Sequence, residues 1–170
     1  MVSRRHFLPL LALSFVLFGA CDNNATKTEA VKSIDERFPI KIGVHVVQVR
    51  LALGSGEMQR GLMFVKSMGG DEGMIFVFPR PQLMGFWMRN TELPLDIGYI
   101  DPDGTLREVY PLYPHDEKPV PSVARRQIAL EMNRGWFARA GVKPGAKLDM
   151  KALQDAMRAR GFPPEPYGLK

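Results

Sequence analysis

The sequence is poor in the groups that usually identify an enzyme. Its 170 residues contain one cysteine, Cys21, and three histidines. They show no serine, histidine and aspartate in a nucleophile-elbow pattern, no free cysteine nucleophile and no glycine loop that would cradle a phosphate. These absences exclude the commonest hydrolase, thiol-enzyme and nucleotide-binding classes. We therefore favour a protein that binds over one that catalyses.

Concentrated positive charge is also missing. The formal net charge is +5, but Arg4 and Arg5 lie in the N-terminal segment and the other cations are scattered along the chain. This distribution argues against a nucleic-acid partner. With 45% hydrophobic and 24% charged residues, the composition is that of one globular domain with short extensions.

Residues 1–20 predict an export signal. The charged start, Ser3-Arg4-Arg5-His6-Phe7-Leu8, precedes an apolar segment that ends in small residues. A membrane-spanning helix needs about 20 apolar residues, and this segment is shorter. The order of the first residues resembles a twin-arginine signal, which carries folded proteins. Pro9 stands where that signal often has lysine, so the general secretory route stays open.

The end of this segment resembles a bacterial lipobox. It reads Phe18-Gly19-Ala20-Cys21, which predicts that Cys21 is the lipid-modified first residue of the mature chain. Such an anchor would hold the protein on the periplasmic face of a bacterial membrane without spanning it. The alternative is a plain secretory signal with an incidental cysteine. Since Cys21 is the only cysteine, the mature domain has no disulfide. Residues 21–38 are polar and predict a tether on the order of 20–25 Å long.

Residues 39–150 predict a mainly β domain, either a sandwich or a partly open barrel, with one or two short helices. Apolar residues alternate from Ile42 and change phase at Val46-Val47, which predicts a bulge or a strand that changes partner. The apolar run 74–78 predicts a central strand, and Asp101-Pro102-Asp103-Gly104 predicts a hairpin turn.

Further strands are expected over residues 127–132 and 147–150. The last 20 residues, 151–170, predict a C-terminal helix and a loose tail. The helix is indicated by Leu153 and Met157, which are four residues apart, and the tail by its prolines.

Four motifs follow one another along this domain. They are Arg60-Gly61-Leu62-Met63, residues 72–76 (EGMIF), residues 86–96 (FWMxNTxxPLD) and residues 130–135 (LEMNxG). Together they resemble the bacterial and archaeal family called domain of unknown function 192, over about residues 42–148. The resemblance implies a mainly β, sandwich-like fold and frequent export, and it implies no activity. Ala146 stands where the family usually has aspartate.

The motifs contribute an unusual set of polar residues beside a tryptophan. The candidate ligand-binding residues are Arg60, Trp87, Asn90, Thr91, Asp96 and Glu131. One interpretation is a buried structural network, with Arg60 paired to a carboxylate and the other groups satisfying strand ends. The other is the floor of a cleft that binds a polar ligand such as a glycan fragment, or a partner protein. No catalytic residue is assigned.

Two further hypotheses use other chemistry. A glycan hydrolase would pair Asp96 and Glu131 as acid and base. A Cu(I) site would use methionine thioethers and His45 or His115, because six methionines fall within residues 58–88. No compact Met-x-Met spacing occurs, and methionine also fills gaps in cores, so we expect no cofactor and no bound metal.

Overall fold

The computed structural model describes residues 30–169. The predicted export signal, Cys21 and most of the predicted tether lie outside these residues. Within residues 30–169 no helix is both long enough and apolar enough to cross a membrane.

The described chain is built mainly of β-strands. They are β1 Phe38–Ile42, β2 His45–Ala52, β3 Glu72–Gln82, β4 Gly85–Phe86, β5 Leu95–Ile100, β6 Leu106–Leu112, β7 Val120–Pro121 and β8 Arg126–Asn133. Six of them form one open sheet in the order β1-β2-β3-β8-β5-β6, while β4 and β7 pair separately. All pairs are antiparallel except β2 with β3. The prediction of a mainly β, single-domain fold is confirmed.

Three α-helices and one 3₁₀ turn complete the described chain. They are α1 Ser55–Arg60, α2 Trp136–Arg139, α3 Met150–Ala159 and the turn Glu165–Tyr167. Because β2 and β3 are parallel, the chain needs a crossover between them, and α1 lies in that crossover. The carboxylate of Asp149 caps α3 by accepting a hydrogen bond from the Ala152 amide at 3.0 Å.

Hydrophobic layers cover both faces of the six-stranded sheet. On one face, Ile75 and Leu130 pack with α2 and α3 in the first layer. On the other face, Met74, Phe76 and Ala129 pack under α1 and the loops around β4 and β7 in the second layer. Adjacent residues of β3 and β8 alternate between these layers, as side chains in a strand must.

Three local expectations differ from the structure. The phase change at Val46-Val47 comes from a hairpin turn, since Ile42 pairs with His45 across Gly43 at φ +59°. Residues 147–150 form isolated bridges with residues 105 and 42 in place of a strand, because α3 already begins at Met150. The tail, expected to be loose, packs on the domain: the Tyr167 carbonyl accepts a hydrogen bond from Gln127 at 2.6 Å, and Leu169 is buried.

Candidate functional site

Glu131 is a buried carboxyl group in the middle of the sheet. It lies on β8 between Met74 of β3 and Ile97 of β5, and it points into the second layer. Only 4% of the residue is exposed. Burial raises the pKa of this carboxyl to about 8, so the acid is mainly protonated at neutral pH. Within residues 30–169 no charge or hydrogen-bond donor contributes to that shift.

A small cavity lies above Glu131. Its volume is about 30 Å³, which is enough for about one or two water-sized groups. Phe76 and Phe86 form apolar walls, and Arg60, Trp87 and Thr91 also line it. The sequence-predicted residues Arg60, Trp87, Thr91 and Glu131 are therefore brought together, and among residues 30–169 Glu131 is the only carboxyl that lines this cavity.

A wider depression opens outside the cavity. It measures about 380 Å³ and shares Arg60 and Trp87 with the inner cavity. Trp87 is 41% exposed, and Phe64, which also lines the depression, is 62% exposed. The Arg89 guanidinium lies 4.5 Å from the Trp87 ring centre. The sequence did not single out Phe64 or Arg89, although both belong to this aromatic and cationic rim.

Hydrogen bonds between three loops hold the rim. Phe64, Asn90 and His115 have φ values of 64°, 52° and 61°, and they are the only non-glycine residues of positive φ within residues 30–169. The Phe64 amide donates to the Asn90 carbonyl at 2.9 Å, and the His115 amide donates to the Thr91 carbonyl at 3.2 Å. Such backbone persists only where its surroundings fix it, so the rim is preorganised. Asn90 contributes through its backbone and does not line the cavity.

Arg60 does not form the ion pair that the structural interpretation predicts. It is exposed at the end of α1 and pairs with no carboxylate within residues 30–169. Other arginines have that role: Arg134 pairs with Asp96, and Arg160 pairs with Glu57. The predicted pairing fails because Arg60 is the last residue of a short surface helix, where its side chain lines the cavity and the depression outside it.

Asp96 lies on the opposite face of the sheet from Glu131. It lies across from Met132 in the β5–β8 register, so its side chain points toward α2. One carboxylate oxygen accepts a hydrogen bond from the Gly135 amide at 2.7 Å, and the other lies 3.2 Å from Arg134 Nε. Asp96 and Glu131 therefore do not form the pair that the hydrolase hypothesis requires.

We expect Asp96→Ala to lower the free energy of unfolding by about 2–3 kcal/mol, because it removes a charged acceptor from the Gly135 amide and from Arg134. Urea unfolding measures this loss. Asp96→Asn keeps an acceptor and should cost less. An unchanged midpoint for Asp96→Ala would show that Asp96 is not a strut.

The methionines and the histidines of the copper hypothesis have different surroundings. Met74, Met84 and Met88 are buried in the second layer, where they pack against apolar neighbours. His45 contacts the Trp136 ring, and His115 lies in an exposed loop. In the part of the chain from residue 30 to residue 169, no group of three histidine, cysteine or acidic residues is placed to hold a metal ion.

Comparison with known families identifies the group to which this domain belongs. Residues 38–150 match the model of the family DUF192, described as "Uncharacterized ACR". This match covers more than half of the chain, so the chain belongs to that family. Comparison with curated proteins gave no match.

Two solved structures are similar to the chain. One is a candidate transcription regulator of Sinorhizobium meliloti 1021, with 34% identity and a TM-score of 0.65, covering 66% of this chain and 92% of that one. The other is a protein of unknown function from Novosphingobium aromaticivorans DSM 12444, with 39% identity and a TM-score of 0.63, covering 66% of this chain and 84% of that one.

Proposed function

We propose that this protein is an exported, lipid-anchored envelope protein whose domain binds a glycan in the cavity above Glu131. The observation that carries the proposal is the Glu131 carboxyl, which belongs to a residue only 4% exposed and lines a cavity. No fully enclosed side-chain oxygen or nitrogen within residues 30–169 lacks a hydrogen-bond partner, so the free hydrogen-bonding capacity of this carboxyl is on its cavity side. Buried polar groups are normally hydrogen-bonded. A ligand hydroxyl entering the cavity would supply such a bond.

The rim supports a sugar as the ligand. Trp87 and Phe64 offer exposed aromatic surface next to fixed polar groups, an arrangement that suits a molecule with one apolar face and hydroxyl edges. The inner cavity is too small for a sugar ring, so the ring would lie on the rim and one exocyclic group would reach Glu131.

The count of carboxyl groups supports binding without hydrolysis. Glycoside hydrolases use two carboxyl groups about 5–10 Å apart on either side of the scissile bond. In the described part of the chain, residues 30–169, Glu131 is the only carboxyl lining the cavity, and Asp96 lies on the other face of the sheet.

Titration calorimetry with neutral and acidic envelope oligosaccharides tests this proposal. We expect one class to bind and Trp87→Ala to weaken its binding at least about tenfold, because stacking surface is lost. Tyr113→Ala is the matched control, since Tyr113 is also exposed and lies 4.4 Å from an arginine, Arg134, but does not line the cavity. If no saccharide binds, or if both variants bind equally, the glycan proposal is wrong.

The proposal of a lipid anchor is based on the lipobox-like residues that end at Cys21. Metabolic labelling with a radioactive fatty acid should label the wild-type protein and not Cys21→Ser, and the variant should leave the membrane fraction. An unlabelled wild-type protein would show that the cysteine is incidental.

A further inference from the structure

We infer that the ligand is an acidic glycan, with a uronate carboxylate bound by Arg60 while a hydroxyl of the same molecule reaches Glu131. This inference rests on the proposed function and specifies its ligand. It starts from the position of Arg60, which lines both the inner cavity and the outer depression.

The neighbouring cations of the rim already have partners. Arg89 Nη2 lies 2.7 Å from a carboxylate oxygen of Glu117. Lys66 pairs with Glu92. Arg60 differs from them because no carboxylate pairs with it within residues 30–169. A guanidinium presents a planar set of donors that matches a carboxylate, so Arg60 is suited to an anionic group at the cavity mouth.

Arg60 and Glu131 would each bind one end of a uronate: Arg60 the carboxylate and Glu131 a hydroxyl. A carboxylate would take the donors of Arg60, the ring would lie against Trp87, and a hydroxyl would occupy the cavity above Glu131.

The test compares two oligosaccharides that differ only in one group, a glucuronate-containing one and its glucose counterpart, in calorimetric titrations of the purified protein. We expect the uronate to bind at least about tenfold more tightly, and Arg60→Gln to remove that difference. Arg125→Gln is the matched control, because Arg125 is exposed and lies outside the cavity and the depression. Circular dichroism checks that each variant is folded, and Arg60→Lys should restore part of the preference.

Each outcome has a distinct meaning. Equal binding of both sugars overturns this inference and leaves the glycan-binding proposal standing. A preference for the uronate that survives in Arg60→Gln shows that another group recognises the carboxylate and overturns the assignment to Arg60. Binding of neither sugar, nor of any other saccharide, overturns the proposed function and this inference with it.

Discussion

Replacing Glu131 by glutamine should make the protein more stable than wild type at pH 9 and leave its stability nearly unchanged at pH 4. The carboxyl has a pKa of about 8 in the folded protein and an ordinary value of 4.5, so the folded state holds the proton more tightly. The stability that this proton contributes is complete below pH 4.5 and is lost as the pH rises through 8. The corresponding free energy is about 5 kcal/mol. Glutamine is neutral at every pH and avoids the loss.

Urea unfolding of wild type and Glu131→Gln from pH 4 to pH 9.5 measures this difference. The two curves should separate steadily between pH 4.5 and 8 and then run parallel. Glu92→Gln is the control for removing an exposed carboxylate, and its urea midpoint should differ little from that of wild type at any pH in this range. Parallel curves for wild type and Glu131→Gln over the whole range would mean that Glu131 titrates normally and that burial does not favour its protonated form.

Replacing Arg160 by alanine should lower the free energy of unfolding by about 3–5 kcal/mol. The Arg160 side chain is 4% exposed and pairs with Glu57 of α1. Its guanidinium also donates to the Leu51 carbonyl at 2.7 Å and to the Lys32 carbonyl at 3.0 Å. The substitution leaves a buried acceptor and a carboxylate without their partner. It should also weaken ligand binding, because α1 carries Arg60 at the cavity mouth.

Arg158→Ala is the matched control for Arg160→Ala. Arg158 lies on α3, one turn or less from Arg160, but it is about half exposed and pairs with Asp155 and Glu165 at the surface. Its loss should cost at most about 1 kcal/mol. Equal losses in the two variants, measured by urea unfolding, would contradict the role given to Arg160.

The sequence predicted those strands and turns whose residue pattern can be recognised within the segment itself. The apolar run 74–78 lies in β3, residues 127–132 lie in β8, and the turn at 101–104 joins β5 to β6. The segment 147–150 has the composition of a strand, but it meets the domain through single bridges. Whether a short apolar segment becomes a strand depends on a partner with free hydrogen-bonding groups, and that partner is set by the tertiary fold.

The candidate site was predicted in part. The four sequence motifs grouped Arg60, Trp87, Thr91 and Glu131 as one candidate site, and these residues line one cavity in the structure. The sequence could not show that Asp96 and Glu131 face opposite sides, because the face depends on which residues of β5 and β8 are paired. Phe64 was missed because it is an exposed apolar residue with a left-handed backbone, at φ 64°. A phenylalanine in a sequence gives no indication of that backbone conformation.

The most direct test of the account is a carbon-13 NMR titration of the Glu131 carboxyl, assigned by its absence from Glu131→Gln, with and without a bound saccharide. We predict a midpoint about 8 in the unliganded protein and a change of the Glu131 signal when the saccharide is added. A midpoint near 4.5, together with a signal that a bound saccharide does not move, would contradict the claim that Glu131 is the buried polar group of a ligand site.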